Sequence, residues 1–230
     1  MNTTKKFYNA KSKKYKENFK KGSLYEEVAI VVGQNKKILD IGCANGLFGK
    51  YLKKKNNVVY GVEISDKMAI QAKKNLNKVF VLNIEKNPLP FKNNEFDVIL
   101  CMDILEHLFD PREVLKKLKN YLKPTGLLIV TVPNAVHWSM RLHILSGKFN
   151  YEEKGLRDSG HIRFFTSTTA LSLFKNSGYV VESYSQISVF PFIVYKINHQ
   201  LRFLNIHLFL SKVFPHIFAY QYMFLLKCKK

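Results

Sequence analysis

Short apolar runs alternate with amphipathic stretches along most of the chain. Runs rich in β-branched and aromatic residues, with few polar positions, are typical of strands that are buried on both faces of a parallel sheet. The runs that predict strands are KKILDIG (36–42), NVVYGVEIS (57–65), KVFVLNI (78–84), EFDVILCMD (95–103), GLLIVTVPN (126–134), YVVESYS (179–185) and FAYQYMFLLKCKK (218–230).

The stretches between these runs predict helices. Ser23 is a good helix N-cap, Pro111 suits a first helical turn, and Gly178 is typical of the position just beyond a helix end. The alternation predicts an α/β fold, a Rossmann-like doubly wound sheet of seven strands, mainly parallel, with helices on both faces. The predicted helices are SLYEEVAIVV (23–32), GLFGKYLKKK (46–55), DKMAIQAKKNL (66–76), PREVLKKLKNYLKPTG (111–126) and TSTTALSLFKNSG (166–178).

The chain length suits one full core, so we expect a single domain at 23–230. Residues 1–22 form a basic N-terminal extension that looks loosely folded. Two segments, near 135–165 and 187–218, fall outside the alternation. We interpret them as insertions that bind an acceptor molecule.

Lysine and arginine outnumber the acids by 37 to 17, which gives a formal net charge of +20. This charge would attract nucleic acid, anionic lipid or an anionic substrate. The lysines are scattered along the chain, however, which favours a lysine-rich surface without a specific partner. Nucleic acid is therefore permitted as a partner but not favoured.

Cys43, Cys101 and Cys228 are widely spaced and form no C-x-x-C pair, which fits a reducing cytoplasm. The N-terminus lacks the apolar core of a secretion signal, and no run reaches the roughly 20 apolar residues of a membrane span. The aromatic-rich segment 187–218 could lie on a membrane surface. We expect a cytoplasmic protein without a transmembrane segment, and the oligomeric state stays open.

The stretch ILDIGCANGLFGKYL (38–52) carries Gly42, Gly46 and Gly49. A dinucleotide loop needs G-x-G-x-x-G and a P-loop needs G-x-x-x-x-G-K-[ST], and neither spacing fits. Asp40, directly before the loop, would repel a phosphate. The loop is predicted to bind a cationic ligand, although its glycines could also be plain turn residues.

Polar groups follow the second and third predicted strands. Glu63 ends the second, where a carboxylate can accept both hydroxyls of a ribose. Asn83 and the Ile84 amide follow the third, where an adenine edge could be read, although asparagine is also a common turn residue. The combination predicts an adenosine ligand without phosphates.

The order of these motifs, with ILDIGCANG first and FDVI in the fourth strand, resembles the class I S-adenosylmethionine-dependent methyltransferases. The segment 132–166 is similar to bacterial ubiquinone-pathway-like and glycan-modifying O-methyltransferases. The resemblance implies S-adenosylmethionine as cofactor, a methyltransferase domain at 23–230 and an antiparallel last strand. Family members often carry aspartate where Asn83 stands. The cofactor-binding residues implied are Asp40, Gly42, Cys43, Gly46, Glu63, Ile64, Asn83, Ile84 and Asp103.

A second group of polar residues comes from DILEHL (103–108) and GHIRFFT (160–166). Both segments can meet over the cofactor. A histidine can take the proton of an acceptor hydroxyl, and a carboxylate can orient that histidine. The candidate catalytic residues are therefore His107, His161 and Glu106.

Glu106, His107 and His161 could instead hold a divalent metal that lowers the pKa of a hydroxyl. The segment is similar to the E-x-x-E-H of small-RNA 2′-O-methyltransferases, but Asp103 replaces the first glutamate and Leu108 replaces that family's extra histidine. A hydrogen-bonded structural network is a third interpretation. A divalent metal is a possible cofactor but not the favoured one.

We expect a methyltransferase that O-methylates a small molecule, or a surface-glycan or lipid precursor, by direct displacement. The motif VPN follows the fifth predicted strand. The enzymes that methylate amino groups of nucleic-acid bases carry their signature after the fourth strand, so this placement argues against that activity. An RNA ribose 2′-O-methyltransferase and a non-catalytic cofactor-binding subunit are the alternatives. Aromatic residues that could wall an acceptor pocket are Trp138, Phe149, Tyr151, Phe164 and Phe165.

Overall fold

Seven strands form one sheet in the residues that the computed structural model describes, which are 3–11, 19, 22–187 and 213–229. Each predicted apolar run coincides with one strand. In chain order the strands are β1 (Lys37–Ile41), β2 (Val58–Glu63), β3 (Lys78–Val81), β4 (Phe96–Met102), β5 (Leu122–Pro133), β6 (Tyr179–Ile187) and β7 (Gln221–Cys228).

The strands lie in the order β3-β2-β1-β4-β5-β7-β6. The first five in this order pair in parallel, whereas β7 pairs antiparallel with both β5 and β6. The predicted doubly wound, mainly parallel sheet with an antiparallel last strand is confirmed. The chain order reverses between β1 and β4, and a crevice is expected beyond the carboxyl ends of strands at such a point.

Helices cover both faces of the sheet. Leu39 and Ile38, adjacent in β1, belong to different groups of buried side chains, as expected for a strand whose alternating side chains face two covered sides. The helices are α1 (Thr3–Lys11), α2 (Leu24–Val32), α3 (Leu47–Lys53), α4 (Asp66–Ala72), α5 (Pro111–Lys119), α6 (Trp138–Leu145), α7 (Ser167–Asn176) and α8 (Pro215–Phe218), with a 3₁₀ turn at Leu105–His107. Apolar residues of α2, α3 and α4 pack on one face, and those of α5 and α7 pack on the other.

The predicted helix at 111–126 ends earlier, at Lys119, and β5 starts earlier than its apolar run suggested. Leu122 already pairs with Phe96 of β4, and both side chains are buried. Pairing and burial with a neighbouring strand therefore outweigh the helical period of these residues.

α1 lies in the basic extension 1–22, so the expectation that this whole segment is loosely folded was wrong for Thr3–Lys11. Lys5 Nζ lies 2.9 Å from Asp66 Oδ1 at the start of α4, and Asn9 Oδ1 accepts from Ser65 Oγ at 2.6 Å. Most of the predicted insertion at 187–218, with its predicted membrane contact, falls outside the described residues. No helix within the described ranges is long and apolar enough to cross a bilayer.

Gly46 precedes α3 with φ +74°, and a Cβ there would lie 3.0 Å from the Ala72 Cα. We predict that Gly46→Ala lowers the free energy of unfolding by about 1–3 kcal/mol more than Gly147→Ala, because overpacking adds to the backbone strain. Gly147 is the matched control, since it has φ +70° but open space around its Cα. Equal losses in urea unfolding of the two variants would contradict the packing argument.

Candidate active site

One crevice of about 710 Å³ opens beyond the carboxyl ends of the parallel strands. Its wall contains residues at the ends of β1, β2, β4 and β5, the loop after β3, and residues between 153 and 161. α1 adds Thr4, Tyr8 and Ala10 to the wall. This is the place where a doubly wound sheet binds its ligands.

The loop between β1 and α3 puts its glycines in different surroundings. Gly42 lines the crevice with φ +74°, and a Cβ there would meet the Ile104 side chain at 2.9 Å. Gly46 packs against α4 and, like Cys43, is not among the residues of the crevice wall. The N–H groups of Gly42 and Cys43 donate to the Val62 carbonyl at 2.8 and 3.1 Å, which ties the loop to β2.

Glu63 ends β2, and two backbone amides hold its carboxylate. Ala44 N–H donates to Oε2 at 3.0 Å, and Ser65 N–H donates to Oε1 at 2.8 Å. Burial raises the pKa of Glu63, and hydrogen bonds from these amides oppose the rise. Since a carboxylate oxygen has two acceptor sites, each oxygen can accept a further bond from a ligand.

Asp40 lies within β1 and is 5% exposed, and it is not part of the crevice wall. Burial, and then the nearby charge of Glu63, raises the pKa of Asp40 to about 7. A cation in the crevice would favour the charged form of this carboxylate. Asp40 can therefore act on a crevice ligand through its charge without touching it.

Asp103 follows β4 in a left-handed backbone conformation, with φ +50°. Thr131 Oγ1 donates to Asp103 Oδ1 at 2.8 Å, and the Gln221 side chain donates to the same oxygen. Burial raises the pKa of Asp103, and these two donors oppose the rise. The three side chains join β4, β5 and β7, and Asp103 and Gln221 line the crevice.

Glu106, His107 and His161 come together in the crevice wall, with one candidate ligand atom of each within 4.8 Å of the others. Glu106 is 1% exposed, and neither of its carboxylate oxygens accepts a hydrogen bond from another described residue. Its Oε1 lies 3.9 Å from His161 Nε2. Burial, and then the charge of Asp103, raises the pKa of Glu106 well above its usual range.

Backbone carbonyls hold both imidazoles by the same ring nitrogen. His107 Nδ1 lies 2.8 Å from the Gly160 oxygen, and His161 Nδ1 lies 3.3 Å from the Leu156 oxygen. A carbonyl only accepts, so we assign the proton of each neutral ring to Nδ1. The lone pair is then on Nε2, where it can take a proton or bind a metal.

The insertion near 135–165 is attached to the 3₁₀ turn by hydrogen bonds. Ile162 N–H and Arg163 N–H donate to the Glu106 carbonyl at 2.9 and 3.1 Å. The Arg163 guanidinium donates to the carbonyls of the two residues after the turn. These bonds bring His161 beside Glu106, as the sequence analysis predicted for the two segments.

A family model described as a methyltransferase domain matches residues 15–184. The chain belongs to this methyltransferase family. The predicted resemblance to the class I S-adenosylmethionine-dependent methyltransferases is thereby confirmed at the level of the family. S-Adenosylmethionine is the cofactor that this family membership implies.

Among curated proteins, the methyltransferase is similar to the ubiquinone biosynthesis O-methyltransferase of Coxiella burnetii. The two are 32% identical over 133 residues, which cover 54% of this chain and 56% of that protein. The chain thus spans about half the length of the curated relatives it matches.

Two solved structures share its fold. One is an S-adenosylmethionine-dependent methyltransferase from Aquifex aeolicus, with a TM-score of 0.63, 18% identity, and coverage of 96% of this chain and 98% of that one. The other is a Thermotoga maritima methyltransferase described as a possible histamine N-methyltransferase, with a TM-score of 0.61, 21% identity, and coverage of 90% and 88%. At these identities the similarity shows the fold alone.

Most of the predicted cofactor residues line the crevice of the methyltransferase, and their roles stay predictions. Three others, Asp40, Cys43 and Gly46, lie behind the wall. The lining members of the predicted set are Gly42, Glu63, Ile64, Asn83, Ile84 and Asp103.

The aromatic residues of the insertion that the sequence analysis named do not line this crevice. Phe149 packs against Tyr151 and Phe164, with ring centroids 5.7 and 5.9 Å apart, and all three are exposed. Three tyrosines that the sequence analysis did not single out line the crevice instead, namely Tyr8, Tyr25 and Tyr220. In the sequence, Tyr8 could have been noticed because it forms an aromatic pair with Phe7 within the basic N-terminus.

Proposed function

We propose that this methyltransferase moves a methyl group from S-adenosylmethionine to a hydroxyl oxygen of a small molecule, or of a glycan or lipid precursor. The observation that carries the proposal is the charge of the crevice. Acids outnumber lysine and arginine by six to one among its described lining residues, although the whole chain carries a formal charge of +20. Lys154 is the only lysine or arginine among the described lining residues. The acidic lining residues are Glu63, Glu85, Asp103, Glu106, Glu153 and Asp158.

The residues of the crevice fit this cofactor. Gly42 leaves room that a Cβ would fill, beside Ile104. Glu63 would hold the ribose hydroxyls, and Asn83 with the Ile84 amide would meet the adenine. The acids suit the ammonium and sulfonium charges of the ligand. Oxygen as the methylated atom is supported by the names of the curated relatives, which are O-methyltransferases.

When bound, S-adenosylmethionine supplies an electrophilic methyl group on a good leaving group. The chain then has to align the acceptor, remove its proton and exclude water. His107 Nε2 or His161 Nε2 would take the proton, and Glu106 would stabilise the resulting imidazolium. Tyr8 packs edge-on against His107 with ring centroids 5.7 Å apart, and so shields that histidine on the side of α1.

A divalent cation held by Glu106, His107 and His161 is a second proposal for the same cluster. Two imidazoles and one carboxylate suit zinc, manganese or iron, and each imidazole is oriented through its other nitrogen, as metal ligands are. The carboxylate of Glu106, buried without a hydrogen-bond donor among the described residues, also fits a cation. When bound, such an ion would lower the pKa of the acceptor hydroxyl.

The RNA ribose alternative finds less support in the crevice. Binding of RNA requires lysine or arginine near phosphates, whereas the described lining residues include six acids and only one lysine and no arginine. Asp103, which stands where the metal-binding RNA methyltransferases have a glutamate, pairs with Thr131 and Gln221 rather than with the histidines. A cytoplasmic location belongs to the proposal, because Cys43, Cys101 and Cys228, all among the described residues, form no disulfide.

We predict that Glu63→Ala weakens binding of S-adenosylmethionine at least tenfold, because the ribose loses its acceptor. His107→Ala is the control within the crevice and should leave cofactor affinity nearly unchanged. Glu95→Ala, which removes a carboxylate paired with Lys37 at the other edge of the sheet, controls for net charge. Isothermal titration calorimetry measures all three, and unchanged affinity in Glu63→Ala would remove Glu63 from the cofactor site.

For the metal, we predict that the wild-type protein binds one Zn²⁺ or Mn²⁺ per chain and that Glu106→Gln weakens this binding at least tenfold, because a neutral amide replaces the carboxylate. Glu113→Gln is the matched control, since Glu113 is exposed and pairs with Lys116. Calorimetry with each ion gives the readout without any acceptor. Absence of ion binding by the wild type, or equal affinities in wild type and Glu106→Gln, would contradict the metal proposal.

A further inference from the structure

The loop after β3 holds the side chain of Asn83 in a fixed orientation. Glu85 N–H donates to Asn83 Oδ1 at 2.8 Å, and Asn83 N–H donates to Asn87 Oδ1 at 3.0 Å. Lys117 Nζ of α5 donates to the Ile84 carbonyl at 2.6 Å. The loop is therefore anchored both by its own turns and by a neighbouring helix.

These bonds identify which atom of the Asn83 amide is left for a ligand. An N–H needs an acceptor, so the Asn83 atom that meets Glu85 N–H is the oxygen, and Nδ2 remains. Among the described residues, neither Asn83 Nδ2 nor Ile84 N–H donates to a protein acceptor. The nearby carboxylate of Glu85 accepts from Asp110 N–H at 2.9 Å. Two N–H donors from adjacent residues of the crevice wall are thus left for a ligand.

Two donors do not distinguish strongly between purines that differ at C6. A 6-aminopurine has an acceptor at N1 and a donor amino group, whereas a 6-oxopurine has a donor at N1 and an acceptor oxygen. Against Ile84 N–H and Asn83 Nδ2, each base makes one matched and one mismatched contact. With an aspartate at position 83, one carboxylate oxygen would still accept from Glu85 N–H, and the other would be an acceptor for the base. Only the donor amino group of a 6-aminopurine matches that acceptor.

We propose that Asn83 makes the crevice permissive at purine C6, so that it accepts a 6-oxopurine sulfur nucleoside nearly as well as the adenine nucleoside. The inference rests on the proposed function, because it assumes that the nucleobase lies against Asn83 and Ile84. It assigns to Asn83 the role of setting base specificity.

Calorimetry with S-adenosylhomocysteine and S-inosylhomocysteine tests the inference, because the two thioethers differ only at purine C6 and N1. We expect their dissociation constants to differ by less than tenfold in the wild type. Asn83→Asp should widen the ratio at least tenfold in favour of the adenine compound. Asn87→Asp is the matched control, since it adds the same charge to the same loop outside the crevice wall, and it should leave the ratio unchanged.

The inference is overturned if the two dissociation constants differ tenfold or more in the wild type, or if Asn83→Asp leaves their ratio unchanged. Cofactor binding itself stands in either case. An equal widening in Asn87→Asp would also overturn the inference, because loop charge and not the base contact would then be responsible. If neither thioether binds at millimolar concentration, the proposed function fails and the inference fails with it.

Discussion

The architecture of the crevice depends on two hydrogen bonds that the carboxylate of Glu63 accepts. One comes from the backbone N–H of Ala44 in the glycine loop, and the other comes from the backbone N–H of Ser65 at the start of the next loop. The same pair of bonds therefore sets the end of β2 and the path of the chain after β1. Because the parallel strands end at a common edge, this one side chain lies where the proposed contact with a ligand ribose would form.

In a chain with a formal charge of +20, acids are buried in and beside the crevice proposed to bind the ligand. Burial raises the pKa values of Asp40, Glu63, Asp103 and Glu106, which means that the free crevice disfavours their charged forms. A bound cation would compensate for this cost. Groups of buried acids with raised pKa values are typical of sites that act on a ligand rather than of sites that stabilise the fold.

The strands, and the positions of Glu63 and Asn83 in the crevice wall, could be predicted because their signals are local. Each strand is a short apolar run, and Glu63 and Asn83 directly follow such runs. The glycine loop was only partly predictable. Spacing alone does not tell whether a glycine meets a ligand, as Gly42 can, or a neighbouring helix, as Gly46 does.

The remaining features depend on contacts between residues far apart in the sequence. Gln221 reaches Asp103 because β7 inserts between β5 and β6, which no local pattern shows. α1 carries many lysines, so its sequence resembles a solvated extension. Its position over the crevice follows from the bonds of Lys5 and Asn9 to the start of α4.

A crystal structure of the protein with S-adenosylhomocysteine tests the central claim most directly, since that claim is that this acidic crevice holds a sulfur nucleoside. The account predicts density for the nucleoside between Gly42 and Asn83, with both ribose hydroxyls on the carboxylate of Glu63. Density for the compound at another place, or a ribose that does not touch Glu63, would contradict the account.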